Sequence, residues 1–166
     1  MITKVTIPDH RKHKLILLDL IKSIPNLSSR VKGSDNISKS DWYFNSLFPR
    51  EYWDYFSKLL NPWFESMKVN YGNEHVKVMI GNYWFQQYST NSSHEWHNHP
   101  NCNFSSVYFL ELPNKDMITE FKDFKNIDAK EGDIITFPAY YLHRSKPNKT
   151  KKRKTVIVFN SSLSLI

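Results

Sequence analysis

The stretch Glu131-Gly132-Asp133-Ile134-Ile135-Thr136-Phe137-Pro138-Ala139-Tyr140-Tyr141-Leu142-His143-Arg144 decides the reading of this chain. Glu131-Gly132-Asp133 is a turn, because glycine and aspartate tolerate the backbone angles a tight reversal needs. Ile134 to Phe137 is a short apolar strand. Pro138 ends it, and a His-Arg pair follows. A last strand then opens at Arg153-Lys154 and runs through Thr155 to Phe159. This order of turn, strand, proline, histidine and basic strand is more specific than any one of its parts.

Upstream, the run His94-Glu95-Trp96-His97-Asn98-His99-Pro100 supplies the partners that His143 needs. On a strand, alternate side chains share a face, so His97 and His99 point the same way. With His143 from a neighbouring strand they form three imidazoles, a donor set suited to iron, zinc, copper or nickel. His10, His13 and His75 sit in polar or basic contexts and read as solvated. His94 is the weakest candidate of the run. Cys102 lies three residues after His99; it reads as a nearby thiol rather than a soft ligand.

Outside these segments the chain divides in two. Residues 1–75 read as a helical N-terminal part and residues 76–166 as a β core, together one domain of 166 residues. A helix is expected over about 10–23, ended by Pro25-Asn26. The polar stretch 26–41 reads as a loop. Tyr52, Trp53, Phe56, Leu59, Leu60, Trp63, Phe64 and Met67 recur at three- and four-residue spacing, one helical face, broken near Asn61-Pro62. That aromatic stripe is a packing face for a sheet. Strands are expected at Val76 to Tyr88, with a bulge or turn at Gly81-Asn82, then at Ser105 to Leu112, Met117 to Phe121, Ile134 to Phe137 and Thr155 to Phe159. Many short strands with long connections suggest a sandwich or jelly roll.

Aromatic residues make up 15% of the chain and hydrophobic residues 40%, so a packed core is expected rather than disorder. A single cysteine gives no intrachain disulfide, and no apolar run has the length of a membrane span. A cytoplasmic protein with no membrane partner is the expectation. The net charge is +7. With no zinc finger, helix-turn-helix or ribonucleoprotein motif in view, the charge tilts only towards some anionic macromolecule as partner. The lysine- and asparagine-heavy composition is compatible with an AT-rich genome such as a phage's.

The series Trp84-Phe85-Gln86-Gln87-Tyr88, His97-Asn98-His99-Pro100, Ser105 to Leu110, Gly132 to Pro138, His143 and Arg153 to Asn160 resembles the Fe(II)- and 2-oxoglutarate-dependent oxygenases. Within them it looks most like small oxygenases of bacteria and tailed phages. The resemblance covers residues 82–160, about half the chain. It implies a mainly β fold, a double-stranded β-helix of jelly-roll type, with the N-terminal helices as a buttress. It also implies an iron site at His97, His99 and His143, with 2-oxoglutarate and dioxygen as co-substrates and succinate and carbon dioxide as products. One departure stands out: the family usually carries an Asp or Glu where this chain has His99. Glu95 and Asp133 are the possible substitutes.

The resemblance further implies a cation for the distal carboxylate of 2-oxoglutarate, on the strand after the distal histidine. Arg153 and Lys154 compete, and they face opposite ways on a regular strand. Parity with Asn160 favours Lys154. Spacing from His143 and the bidentate guanidinium favour Arg153, which is the first expectation. Gln86 and Tyr88 sit where some relatives place a pair that hydrogen-bonds the 2-oxo acid. Two other functions compete: a three-histidine cupin-type dioxygenase without 2-oxoglutarate, and a jelly-roll binding protein that has lost redox chemistry. The primary substrate is not written in the sequence.

Overall fold

The computed structural model describes residues 1–26, 36–72, 75–124 and 127–166. The part of the expected 26–41 loop at 27–35 therefore lies outside the described residues. Among these residues two antiparallel sheets face each other in a jelly-roll arrangement. The larger has six strands in the order β1 (Thr3–Thr6), β7 (Asp133–Pro138), β5 (Phe104–Glu111), β9 (Lys154–Leu165), β3 (Val76–Tyr88) and β2 (Lys39–Ser40). The smaller has three, ordered β4 (His94–His97), β8 (His143–Ser145) and β6 (Glu120–Phe121).

Strand parity gives the larger sheet two buried faces. Phe85, Tyr108, Ile134, Ile157 and Phe159 face the helices α1 (His10–Lys22), α2 (Glu51–Phe56) and α3 (Asn61–Tyr71), which contribute Leu17, Ile21, Tyr52, Phe56, Trp63 and Met67. Trp84, Tyr88, Val107, Phe109, Ile135, Phe137, Val156 and Val158 form a second apolar cluster on the other side, with Phe121 of the smaller sheet. A sheet covered on both sides reads as continuous apolar runs, as β5 and β9 do. The aromatic stripe of residues 52–67 is thus core except at Phe64, which is exposed. Trp63 also donates its indole N–H to Thr136 Oγ1 at 2.9 Å, satisfying the one polar atom it buries.

The helix over 10–22 and the interruption before Pro62 follow the sequence. The residue preceding α3 is Leu60, and Pro62 sits in its first turn, where no backbone N–H is missed. Gly81-Asn82 is a bulge inside one long strand rather than a turn between two: the β3–β9 register shifts between Ile80 and Tyr83. The segment 117–121 is not one strand. A 3-10 turn at Lys115–Met117 precedes the two-residue β6. The N-terminal part is also not purely helical, since β1 pairs with β7 from Thr3↔Thr136 to Thr6↔Asp133. Beside this edge Gly132 takes φ 89°, and a Cβ there would meet His10 Cβ at 2.9 Å, so α1 closes on a position that only glycine fills without strain. No helix among the described residues is long and apolar enough to cross a membrane.

One buried charge organises the chain between the loop and α2. Asp41 is fully buried. It accepts from Arg50 Nε at 2.7 Å, Tyr52 Oη at 2.8 Å and the Phe85 backbone N–H at 2.9 Å. The Arg50 guanidinium also donates to the carbonyls of Asp41 and Phe44, at 3.1 and 3.3 Å. Donors from the side chains of α2 and its flank and from the β3 backbone converge on this carboxylate, and it fixes the position of the next residues, Trp42 and Tyr43.

Candidate metal centre and its two cavities

β4 and β8 pair with His97 directly opposite His143. His99 lies two residues beyond the end of β4 and is held by its backbone N–H, which donates to the Ala139 carbonyl at 2.9 Å. The result is one cluster: a ligand-capable nitrogen from each of His97, His99 and His143 lies within 4.8 Å of the others. Pairing across an antiparallel ladder is what brings residues 46 positions apart in sequence together.

The ring orientations are set by the backbone. His97 Nδ1 lies 2.7 Å from the Glu95 carbonyl, and His143 Nδ1 lies 2.8 Å from the Tyr141 carbonyl. A carbonyl can only accept, so each Nδ1 carries the proton and each Nε2 keeps its lone pair for the cluster. A metal-binding histidine characteristically donates its second N–H in this way. Burial, reinforced by the neighbouring imidazoles His97 and His94, pushes the His99 pKa down to about 3. Burial first, then His97, pushes that of His143 down to about 2. The two rings are neutral donors across the ordinary pH range.

The carboxylate substitutes considered from sequence do not join the cluster. Asp133 is buried at the far turn, where its oxygens accept from Thr6 Oγ1 at 2.7 Å and from the Lys130 N–H at 3.0 Å. Glu95 is exposed, and it is its backbone carbonyl that serves His97. Cys102 is half-buried, its thiol 3.9 Å from the His99 carbonyl and outside the cluster. His94 stacks on His97 with ring centroids 3.7 Å apart. The sequence ranked it last, yet it borders both cavities at the cluster.

A small cleft beneath the three histidines is walled by Val107, Val156 and Val158 and ends at Tyr88, Ser145 and Lys154. Lys154 is 1% exposed. Its ammonium donates to Ser145 Oγ at 2.8 Å and sits 5.2 Å from the centroid of the Tyr88 ring. No acidic side chain among the described residues pairs with it, and burial alone pulls its pKa down from 10.5 to about 7. Arg153, the first expectation for this position, points the other way. Its side chain is 46% exposed and donates to Glu111 Oε1 at 2.5 Å. The parity with Asn160 described the strand correctly. The expected alternation of faces holds, but spacing from His143 and the bidentate fork picked the outward residue of the pair. Gln86 and Tyr88 lie on the same inner face, and Tyr88 Oη donates to Gln86 Oε1 at 2.8 Å. Gln86 Nε2 lies 3.3 Å from His94 Nδ1, linking the lysine end of the cleft to the histidine end.

On the other side of the histidines a larger cavity of about 500 Å³ opens to solvent. Trp42, Tyr43, Trp84, Asn82, Asn98 and Asn160 are among its lining residues. Sequence reasoning did not single out Trp42 or Tyr43, and it read Asn82 only as part of a bulge and Asn98 only as the residue between His97 and His99. Trp42 and Tyr43 precede the aromatic stripe and break its helical spacing, which was the one available signal.

No protein-family model and no curated protein matches this sequence. The fold does match solved structures. One is HygX from Streptomyces hygroscopicus with nickel and 2-oxoglutarate bound, at 6% identity and TM-score 0.72, covering 97% of this chain and 82% of that one. Another is a 2OG-Fe(II) oxygenase family oxidoreductase from Burkholderia pseudomallei, at 13% identity and TM-score 0.66, covering 96% and 84%. A third is the viral collagen prolyl hydroxylase of Paramecium Bursaria Chlorella virus-1 in its 2OG complex, at 17% identity and TM-score 0.62, covering 96% and 94%. At these identities the likeness is one of fold: the chain has the jelly-roll architecture on which 2OG-Fe(II) oxygenases are built.

Proposed function

We propose that the chain is an Fe(II)- and 2-oxoglutarate-dependent dioxygenase that hydroxylates its substrate and releases succinate and carbon dioxide. The observation that carries this reading is Lys154. A buried ammonium with no acidic partner among the described residues is costly unless a ligand supplies the anion. It lines the same cleft as the three-histidine cluster. A dicarboxylate with a metal-binding 2-oxo acid group at one end and a free carboxylate at the other matches that pair of features.

The residues present fit the absent groups. His97, His99 and His143 would hold the metal through their lone pairs, leaving coordination positions open to the cavities. Iron bound there supplies dioxygen activation coupled to oxidative decarboxylation of the 2-oxo acid. The chain's own residues orient and insulate. The Glu95 and Tyr141 carbonyls fix two imidazoles. Lys154, with Ser145 and the Tyr88–Gln86 pair, receives the distal carboxylate. Val107, Val156 and Val158 keep water from the cleft, which strengthens every charge interaction inside it.

The fold likeness to structures that hold 2-oxoglutarate supports the same reading. A three-histidine dioxygenase without a 2-oxo acid would use the same imidazoles but leave Lys154 without a task. Anaerobic addition of Fe(II) and then 2-oxoglutarate tests the proposal. A weak visible charge-transfer band should form in the native protein and not in Lys154→Met. Absence of the band in native protein that binds both components would remove the 2-oxo acid from the metal and defeat the proposal.

A further inference from the structure

The larger cavity carries a chemistry of its own. Trp42 and Trp84 meet edge to face, centroids 4.4 Å apart at 69°, and make an aromatic corner. Trp42 and Tyr43 are 46% and 62% exposed, so the mouth is open. The same walls carry carboxamides, among them Asn82, Asn98 and Asn160. Asn160 is only 6% exposed, and its Oδ1 accepts no hydrogen bond among the described residues. An orphaned polar atom at a cavity wall is costly unless a ligand or water meets it. No Lys, Arg, Asp or Glu is among the described lining residues.

From this we infer that the cavity takes an uncharged, peptide-like segment of the primary substrate. A flat or ring-bearing side chain would lie in the Trp42–Trp84 corner, and amide groups would pair with the asparagine carboxamides. The inference rests on the function proposed above, because His97 and His99 form part of the same cavity wall. Each carboxamide offers both a donor and an acceptor, the complement of a peptide group. A purely apolar guest would leave these groups unpaired. A polyphosphate chain would need cations that the described walls lack. The basic excess of the chain pointed to an anionic macromolecule, but Lys149, Lys151 and Lys152 are exposed and none of them lines this cavity. The open mouth lets the ends of a longer chain continue into solvent, so the guest need not be small.

Calorimetry on nickel-loaded protein with 2-oxoglutarate present tests the inference. The probes are acetylated, amidated tetrapeptides with a central Phe, Tyr, Pro or Leu, the same scaffold with a central Glu or Lys, and oligothymidylate. The neutral peptides should bind, and Trp42→Ala and Asn160→Asp should each weaken that binding about tenfold or more. Both variants should retain the metal and 2-oxoglutarate affinities of the native protein. If the charged peptides or oligothymidylate bind more tightly, or if no neutral peptide binds, the inference is overturned while the proposed function stands. Should metal and 2-oxoglutarate themselves fail to bind, the proposed function falls. The same peptide titration on metal-free protein then decides the cavity, and absence of neutral-peptide binding overturns the inference there too.

Discussion

Raising the pH should discharge Lys154 and loosen 2-oxoglutarate. Burial holds its pKa near 7, against 10.5 for a solvated lysine. A carboxylate at 2-oxoglutarate's distal end favours the ammonium, so above pH 7 binding must be accompanied by proton uptake. Both carboxylates of the co-substrate are ionised throughout pH 6–8.5, so they add no slope of their own. At pH 8.5 only about 3% of free Lys154 is charged, and the apparent affinity should be about thirtyfold below its value at pH 6. Isothermal titration of nickel-loaded protein measures it, since nickel(II) avoids turnover with dioxygen. Two buffers of different ionisation enthalpy should report close to one proton taken up at pH 8.5 and few at pH 6. Lys154→Met should lose about a hundredfold or more in affinity at pH 6.

The sign for stability is the opposite. The folded pKa lies below the unfolded one, so the unfolded chain binds more protons between pH 7 and 10.5, and ligand-free stability rises with pH across that window. Below pH 7 the charged lysine costs the empty protein on the order of 5 kcal/mol. Lys154→Met should therefore melt higher than the native protein at pH 6.5 while failing to bind 2-oxoglutarate. A flat affinity profile without proton uptake, together with a Lys154→Met variant that binds normally, would refute the assignment. Arg153→Ala is the control and should leave 2-oxoglutarate affinity unchanged, because that side chain faces Glu111 at the surface.

His97→Ala and His143→Ala should each abolish Fe(II) binding in anaerobic titration with the far-ultraviolet dichroism unchanged, since the strand ladders that carry both residues are held by backbone pairing. His99→Asp should still bind iron, and more tightly if the lower site charge dominates. Iron loss in His99→Asp beside full binding in His99→Ala would take position 99 out of the ligand set. Asp41→Ala should lower stability by about 3–5 kcal/mol in urea unfolding, because it leaves the Arg50 guanidinium buried without its carboxylate.

The β core was legible because its signals are local. Gly132, Pro138 and the apolar runs between them mark turns and strands within a few residues. The histidine cluster was legible for a related reason: a fixed order along the chain stands in for a spatial meeting. What could not be read depends on pairing. β1 is four residues long and carries little pattern of its own; it exists because β7 offers an edge. The choice between Arg153 and Lys154 turned on strand phase, and a shift of one residue reverses that answer. The larger cavity was hidden because Trp42, Asn98 and Asn160 come from three separated segments and share no spacing. The buried carboxylate of Asp41, which sets the first of these in place, looked like one more polar residue in a loop.

β9 works as a ruler. Lys154 and Asn160 project from the same side of one strand, six residues apart, and an extended chain fixes that separation at about 20 Å. Covalent geometry, not packing, thus sets how far the buried lysine of the cleft stands from the asparagine in the wall of the larger cavity. Point substitution cannot tune that distance, and inserting or deleting one residue between them would turn one of the two out of the site. Diversification of what such a protein accepts must therefore fall on the segments with no such ruler, the stretch bearing Trp42 and Tyr43 and the turn from Asn98 to Cys102. Copies of this chain that have drifted apart should differ there first and keep the length of β9 unchanged.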